Sequence, residues 1–194
     1  MAAEVLMVNG SPRSEGNSAT LAAVCATVFD QQGVSWEQID LRRLKIAPCK
    51  ACGLCAGGKV KYCAQKDDMQ PLYDKILQCR ALLFISPVYW FNVTAQLKTF
   101  IDRLYGLWKW DPAFLAGKGA GAVLVYADTD LYESGGINAV SSFEHMFRYL
   151  RADGRGFAYG SAGDIGDAQK NPDLLERTRK LALALAGSRP DRGA

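Results

Sequence analysis

Five short apolar runs alternate with five segments of helical periodicity, and this alternation constrains the fold more than any other feature of the chain. The predicted strands cover residues 4–9, 34–40, 81–86 and 121–127, with a last short strand near residue 157. The predicted helices cover about 18–32, 69–79, 93–108, 137–151 and 172–186. Strands that alternate with helices form a parallel sheet with helices on both faces. The sequence therefore predicts an α/β fold.

The commonest short form of such a sheet is the flavodoxin-like one. We expect a doubly wound five-stranded parallel sheet in the strand order 2-1-3-4-5, which binds ligands beyond the carboxyl ends of strands 1 and 3. A chain of 194 residues is long enough for one well-buried domain and short for two. We therefore predict a single domain over residues 1–187, with a cysteine-rich insertion at about 45–68 and a flexible tail at 188–194.

The loop after the first predicted strand has the composition of an anion-binding turn. It reads GSPRSEGNSATL over residues 10–21 and leads into a helix whose first N–H groups have no intrahelical acceptor. With the positive end of the helix dipole behind them, these groups suit a phosphate. The loop adds three hydroxyls, a guanidinium and a capping amide, from Ser11, Ser14, Ser18, Arg13 and Asn17. Gly10 and Gly16 allow close backbone approach to the ligand; the alternative is an ordinary strand-to-helix loop that Asn17 caps.

Two common nucleotide-binding motifs are absent from this loop. The dinucleotide fingerprint G-x-G-x-x-G does not follow the strand, and no Gly-Lys-Ser/Thr of a Walker loop follows it. These absences favour a mononucleotide whose phosphate is held mainly by hydroxyl and amide groups. Flavin mononucleotide (FMN) fits this description.

The residues after the third predicted strand suit a flat aromatic ring. Pro87, Val88, Tyr89 and Trp90 follow a continuous apolar strand, and Asn92 is placed to cap the next helix. Because strands 1 and 3 are neighbours in the predicted order, this segment and the phosphate loop are expected side by side. An aromatic pair at a strand end is otherwise a core feature.

A third loop, over residues 128–136, follows the fourth predicted strand and is placed to close over the ring. Asp128 begins it, and Gly135 and Gly136 permit close backbone approach at its end. Tyr126 and Tyr132 are candidate stacking groups, with simple packing as the alternative.

Four of the six cysteines lie between residues 49 and 63. Cys49, Cys52, Cys55 and Cys63 form the pattern C-x2-C-x2-C-x7-C, which suits an iron–sulfur cluster. Structural zinc more often uses two separated C-x2-C pairs, and a reduced loop without metal is the third possibility. The nearby lysines that would offset the charge of a thiolate-bound cluster are Lys50, Lys59 and Lys61.

Composition argues against two partner classes, nucleic acid and membranes. A net charge of +3 without a Lys/Arg block of five or more argues against nucleic acid, and no run of about 18 apolar residues predicts a membrane span. Because no export signal begins the chain, we expect a cytoplasmic protein with reduced cysteines. The single histidine, His145, has no second histidine or cysteine near it in the sequence and is interpreted as a surface or interface residue.

These motifs together resemble the iron–sulfur flavoproteins and the wider NADPH-dependent FMN reductase group. The resemblance rests on GSPR-x2-GNS at 10–18, APCKACGLC at 47–55 with Cys63 and the KDDM after it, and SPVYW at 86–90 with the QLKTFIDR helix. Gly135 and Gly136 are similar to the glycine pair of the third flavin loop. The resemblance implies FMN, a [4Fe-4S] cluster on the four cysteines, and a homodimer or homotetramer with the flavin near a subunit interface.

The expected activity is electron transfer centred on the flavin, without a catalytic acid or base. NAD(P)H or a reduced protein donor would reduce FMN, and electrons would pass on, through the cluster if it is present, to ferredoxin, a quinone or an oxygen species. The alternative is a flavodoxin-type carrier without a substrate of its own. In a third reading the cysteines hold structural zinc and the flavin site is vestigial.

Overall fold

The computed structural model describes residues 3–188 and contains a central sheet covered by helices on both faces. Its strands are β1 (Val5–Asn9), β2 (Trp36–Asp40), β3 (Ala81–Tyr89), β4 (Asn92–Val93), β5 (Gly119–Tyr126) and β6 (Asp153–Ser161). Its helices are α1 (Asn17–Gln31), α2 (Gln70–Gln78), α3 (Ala95–Trp110), α4 (Gly136–Tyr149) and α5 (Pro172–Ala186). The predicted α/β class is confirmed.

The sheet has the order β2-β1-β3-β5-β6, and these five strands are parallel. The remaining strand, β4, is a two-residue strand that pairs antiparallel with the end of β3. This strand was not predicted, so the observed numbering differs from the predicted 2-1-3-4-5. The five parallel strands nevertheless give the flavodoxin-like arrangement, in which the chain reverses its direction of travel between β1 and β3.

Alternate strand residues feed two separate cores, one on each face of the sheet. On β1, Leu6 and Val8 point to the face covered by α2, α3 and α4, whereas Val5 and Met7 point to the face covered by α1 and α5. All five residues of β1 are buried. Burial on both faces explains why the central strands read as continuous apolar runs.

The predicted helices and strands match the observed ones to within three residues at most ends. The helix at 172–186 agrees at both ends, because Asn171 caps it by accepting the N–H of Leu174 and Pro172 opens it. On α2, Leu72, Tyr73 and Ile76 are buried and Leu77 is half-buried, which gives the helix one apolar face toward the sheet.

The segment from residue 44 to residue 69 contains turns but no helix or strand, as the sequence predicts. It leaves the sheet after β2 and returns at α2, so it lies at the same edge as the loops that follow β1 and β3. We call residues 45–68 the cysteine loop.

The predicted tail at 188–194 falls mostly outside the described residues, which end at Ser188. Ser188 itself is buried, and its carbonyl oxygen accepts a hydrogen bond from the Arg80 guanidinium. Among residues 3–188, no helix is both long and apolar enough to cross a membrane.

Candidate functional site

A cavity of about 180 Å³ opens at the carboxyl ends of the parallel strands. Its walls come from the loop after β1, the end of β3, the end of β5 and the loop after β6: Ser11, Arg13, Gly16, Asn17, Ser18, Pro87, Val88, Tyr89, Val125, Tyr126, Ala127, Ala162 and Gly163. The structure thus brings the predicted phosphate loop together with the segment after the third predicted strand. The parallel sheet explains this meeting, since its strands all end at one edge.

The amino terminus of α1 faces this cavity without a capping side chain. Gly16 occupies the N-cap position, no side chain caps the helix and no acidic residue lies in its first turn. Asn17 and Ser18, the first two helical residues, both line the cavity. The N–H groups of the first turn have no intrahelical acceptor, so this helix end favours an anion.

Hydroxyl and guanidinium groups surround that helix end. The Ser11 Oγ accepts the N–H of Arg13 at 3.2 Å, and the Ser11 N–H donates to Asn9 Oδ1 at 3.0 Å, so the turn is held by its own side chains. Arg13 is exposed and forms no ion pair within residues 3–188. Ser18 is buried at the cavity wall. Ser14, by contrast, is exposed and does not line the cavity.

The prediction that Asn17 caps α1 is wrong. Its Nδ2 donates to the carbonyl oxygens of Ala162 at 2.8 Å and Asp164 at 2.9 Å, and its Oδ1 accepts the N–H of Ala168 at 3.1 Å. Because a side-chain amide has two N–H donors, both are used by the loop after β6. Asn17 lines the cavity as a link between two loops, with no side-chain donor left for a ligand.

Gly10 makes room for α3, whereas the sequence predicted that it makes room for a ligand. A Cβ at Gly10 would lie 2.7 Å from the Leu97 Cβ and 3.0 Å from the Thr94 Oγ1, so the missing side chain allows α3 to approach the loop. Gly16, in contrast, does line the cavity.

The segment after the third predicted strand is a hairpin rather than a loop. β3 continues through Tyr89, turns at Trp90 and Phe91, and returns as β4. Both turn residues have positive φ, 47° and 67°, as a two-residue type I′ turn requires. Pro87, Val88 and Tyr89 therefore line the cavity, whereas Trp90 is 93% exposed at the tip and does not.

The prediction that Asn92 caps the next helix is wrong. Asn92 pairs with Tyr89 in the hairpin, and its Oδ1 accepts the N–H of Val93. Thr94 caps α3 instead, because its Oγ1 accepts the N–H of Leu97 at 3.3 Å and donates to the Gly10 carbonyl at 2.7 Å. The cap thus joins α3 to the loop after β1.

The glycine pair of the third loop packs against the hairpin. Gly135 has a φ of 69°, and a Cβ there would lie 2.4 Å from Phe91 Cδ1 and 2.7 Å from Phe91 Cα. A Cβ at Gly136 would lie 2.9 Å from a Leu131 methyl group. Neither glycine lines the cavity, and Asp128 is exposed outside it.

The end of β5 supplies a phenol to the cavity wall. Tyr126 is largely buried, and burial raises its pKa above the usual value, so the side chain is a neutral hydrogen-bond donor at neutral pH. Tyr132, the other candidate stacking group, is exposed and does not line the cavity.

The structure does not bring the four loop cysteines together. All are free thiols; Cys49 and Cys52 are exposed, and Cys55 and Cys63 are partly buried. Between residues 3 and 188, no three His, Cys, Asp or Glu side chains are grouped to hold a metal ion. The donor set still fits an iron–sulfur cluster in its chemistry, because soft thiolates on a loop without helix or strand are the ligands such clusters use.

Sequence reasoning missed the contribution of the loop after β6. Ala162 and Gly163 line the cavity, yet they lie about 150 residues from the phosphate loop. The available signal was the pair of small residues Ala162 and Gly163 directly after β6, where a parallel sheet places ligand-binding loops.

A model of the NADPH-dependent FMN reductase family matches residues 3–153 of the chain. An iron–sulfur flavoprotein of Archaeoglobus fulgidus is 36% identical over 167 residues, which cover 81% of this chain and 70% of that protein. An iron–sulfur flavoprotein of Methanocaldococcus jannaschii is 31% identical over 191 residues, covering 94% of this chain and 95% of that protein.

Solved structures show the same fold at lower identity. The NAD(P)H:quinone oxidoreductase from Methanothermobacter marburgensis superposes with a TM-score of 0.69 at 20% identity, covering 94% of this chain and 96% of that one.

Proposed function

Because the chain belongs to the NADPH-dependent FMN reductase family and is therefore an oxidoreductase, we propose that its cavity binds FMN. The bound flavin would pass electrons from NAD(P)H or a reduced protein donor to an acceptor. The observation that carries the proposal is the uncapped amino terminus of α1, which opens into the cavity beside Ser11, Arg13 and Ser18. A helix end of this kind suits the phosphate of a mononucleotide.

The phosphate would be held by neutral donors and one cation. The N–H groups of the first turn of α1 supply the helix dipole, the Ser11 and Ser18 hydroxyls add hydrogen bonds, and Arg13 adds a positive charge. The Asn17 amide takes no direct part, because both of its N–H groups bind carbonyl oxygens.

The flavin ring would lie against Pro87, Val88 and Tyr89 on one side and the end of β5 on the other. The cavity of about 180 Å³ is smaller than the roughly 300–1,000 Å³ usual for small-molecule pockets. We therefore expect it to enclose only part of the cofactor and to leave ring surface accessible to a second substrate.

FMN, when bound, supplies the capacity to accept a hydride and release electrons one or two at a time. The chain's own residues bind and orient the cofactor and exclude water from one side of it. No side-chain acid or base is required of them. Since the chain has no dinucleotide fingerprint, the nicotinamide would be positioned mainly by the exposed flavin surface.

We propose further that Cys49, Cys52, Cys55 and Cys63 hold a [4Fe-4S] cluster that receives electrons from FMN. Two relatives named as iron–sulfur flavoproteins and the set of four thiols support this. The loop would have to close to gather the thiols, and closing it would break no helix or strand. The acceptor beyond the cluster would be ferredoxin, a quinone or an oxygen species.

A homodimer or homotetramer is the proposed assembly. Support comes from the hairpin tip beside the cavity, where Trp90 and Phe91 are exposed and form an edge-to-face pair with ring centres 5.8 Å apart. Light scattering on purified protein tests the assembly, and a monomer at micromolar concentration would reject it.

The test of the function is anaerobic purification followed by a visible spectrum and counts of flavin, iron and acid-labile sulfide. We expect one FMN per chain, about four iron atoms per chain, and steady-state NAD(P)H oxidation with a quinone acceptor. Folded protein that stays colourless and does not bind added FMN would reject the proposal. Bound FMN without NAD(P)H oxidation would instead indicate a flavodoxin-type carrier, and zinc in place of iron would reject the cluster alone.

A further inference from the structure

Arg103, in the middle of α3, is a charged side chain that is only 2% exposed. Its guanidinium forms a two-pronged bond with Asp67, from Nη1 to Oδ2 at 2.6 Å and from Nη2 to Oδ1 at 3.0 Å. The same Nη1 donates to the carbonyl oxygen of Ala47 at 2.7 Å. Paired contacts of this geometry are strong and directional, because they are charge-assisted and fix both the distance and the plane.

The two partners of Arg103 lie at opposite ends of the cysteine loop. Ala47 precedes Cys49 by two residues, and Asp67 follows Cys63 by four. Arg103 therefore joins the start of the loop, the end of the loop and α3 at a single point.

Asp67 also binds the loop ends to each other. Its Oδ2 accepts the N–H of Ala47 at 3.0 Å, and its Oδ1 accepts the N–H of Met69 at 3.2 Å. Beside it, the Asp68 Oδ2 accepts the N–H of Lys45 at 2.7 Å. Burial alone would raise the pKa of Asp67, but the hydrogen bonds from Arg103 and the two amides hold it below its usual value, so the pair is charged at neutral pH.

The end of the loop that carries Cys63 packs directly on α3. A Cβ at Gly106 would lie 2.8 Å from the Tyr62 carbonyl oxygen and 3.4 Å from the Cys63 Cβ. Because Gly106 has no side chain, this segment of the loop can pack directly on the backbone of α3. The Tyr73 hydroxyl from α2 donates to the Arg103 carbonyl at 3.2 Å, and the Tyr73 ring lies 4.9 Å from the Tyr62 ring, so α2 holds this segment and α3 together. In contrast, Cys49 and Cys52 are exposed.

Helix α3 also carries a contact with the phosphate loop. Thr94 caps the helix and donates to the Gly10 carbonyl, and Arg103 lies nine residues further along, which is roughly 14 Å at 1.5 Å per residue. A rigid helix of this length sets the spacing between the cavity and the root of the cysteine loop.

We infer that the Arg103–Asp67 pair is a positioning device that holds both ends of the cysteine loop on α3 before any metal binds. Cys63 and the segment beside Cys49 are then in place at a set distance from the flavin cavity, and only the intervening residues move to complete the site. The purpose of the device rests on the proposed cluster, whereas its existence does not.

The first test uses metal-free protein and hydrogen exchange of the loop amides between residues 45 and 69. Arg103→Lys keeps the positive charge and removes the two-pronged geometry. We expect exchange at both loop ends to become at least about tenfold faster in this variant, with FMN affinity changed less than about twofold. The matched control is Lys98→Met, which removes an exposed cation from the same helix.

The second test uses protein reconstituted with iron and sulfide. Arg103→Lys is expected to lose iron to a chelator at least about tenfold faster than the wild type, and Lys98→Met at the wild-type rate, because metal ligands depend on the groups that orient them. Loop exchange and iron loss in Arg103→Lys that match those of Lys98→Met would overturn the inference.

A variant that leaves a lone buried charge risks unfolding the protein. The double variant Arg103→Met/Asp67→Leu removes both charges, and faster loop exchange in it supports the inference while wild-type exchange overturns it. If the wild type binds no iron, the proposed cluster fails, and the exchange measurement on metal-free protein still decides whether the pair holds the loop.

Discussion

The side-chain amide of Asn17 donates a hydrogen bond of 2.8 Å to the carbonyl oxygen of Ala162, a residue 145 positions away in the sequence. Asn17 opens α1, whereas Ala162 begins the loop after β6, and both line the same cavity. The bond makes the loop after β6 a wall of the candidate FMN site, and it fixes that wall to the helix whose amino terminus faces the cavity.

We expect Asn17→Asp to weaken FMN binding by about tenfold or more. A carboxylate cannot donate to the carbonyl oxygens of Ala162 and Asp164, and repulsion would push the loop away from the cavity. Titration of apoprotein with FMN measures the effect. Thr27→Ala, an exposed change on the same helix, is the control, and equal affinity in both variants would contradict this role for Asn17.

Arg13→Ala should reduce FMN affinity by about 10-fold to 100-fold, because this factor corresponds to the free energy that a hydrogen bond to a charged group usually contributes. The loss should shrink as salt is added, because Arg13 is exposed and its field is screened. Arg179→Ala removes an equally charged, exposed side chain from α5 and should leave the affinity unchanged. A salt-independent loss would argue against a phosphate contact.

Gly135→Ala should destabilise the fold by more than Gly33→Ala does. Both glycines have φ near 65–70°, so both variants carry the backbone strain of about 1 kcal/mol. At Gly33 nothing lies within 4 Å of the new methyl group, whereas at Gly135 it would overlap Phe91. Urea unfolding of the two variants separates the backbone strain, which both carry, from the steric overlap, which only Gly135→Ala carries. Equal losses of unfolding free energy would show that the contact between Gly135 and Phe91 is not tight.

Cys52→Ala should abolish the cluster absorbance of anaerobically prepared protein and leave FMN bound, because the proposed cluster ligands lie outside the cavity proposed to bind FMN. Cys25→Ala removes a buried cysteine of α1, so it should lower the free energy of unfolding and leave the iron content unchanged. Unchanged iron in Cys52→Ala would remove this residue from the ligand set.

The Asp67 carboxylate should make the free energy of unfolding fall as the solution becomes acidic. Its pKa is lowered in the folded protein, so its contribution is complete above the unfolded value of about 4 and is lost as pH falls through the folded value. The difference in unfolding free energy between the wild type and Asp67→Asn should therefore be larger at pH 7 than at pH 3. A difference that is independent of pH would show that ionisation of Asp67 does not contribute.

Much of the candidate site was accessible from local patterns. Ser11, Arg13 and Ser18 follow a strand, Pro87 and Tyr89 end another, and the parallel sheet predicted that the two segments would meet. The structure places all five on one cavity. What these residues bind is still a prediction.

The hairpin at the end of β3 was not accessible in this way. Its turn carries Trp90 and Phe91 at positive φ, positions for which the usual signal is Asn-Gly, so nothing local indicated a turn. The packing of Gly135 on Phe91 holds the turn, and the two residues are far apart in the sequence.

The sequence by itself determined the α/β class, the alternation of strands and helices and two of the segments that line the cavity, the loop after β1 and the end of β3, because these depend on periodicity and composition within short windows. Only the tertiary structure decided the partners of Asn17, Gly135 and Arg103. Each of these contacts joins residues that are distant along the chain, and its geometry depends on how helices pack on the finished sheet. A side-chain amide or guanidinium has the same local sequence signal whether it binds a ligand or a neighbouring loop, so its role is set by what folding brings next to it.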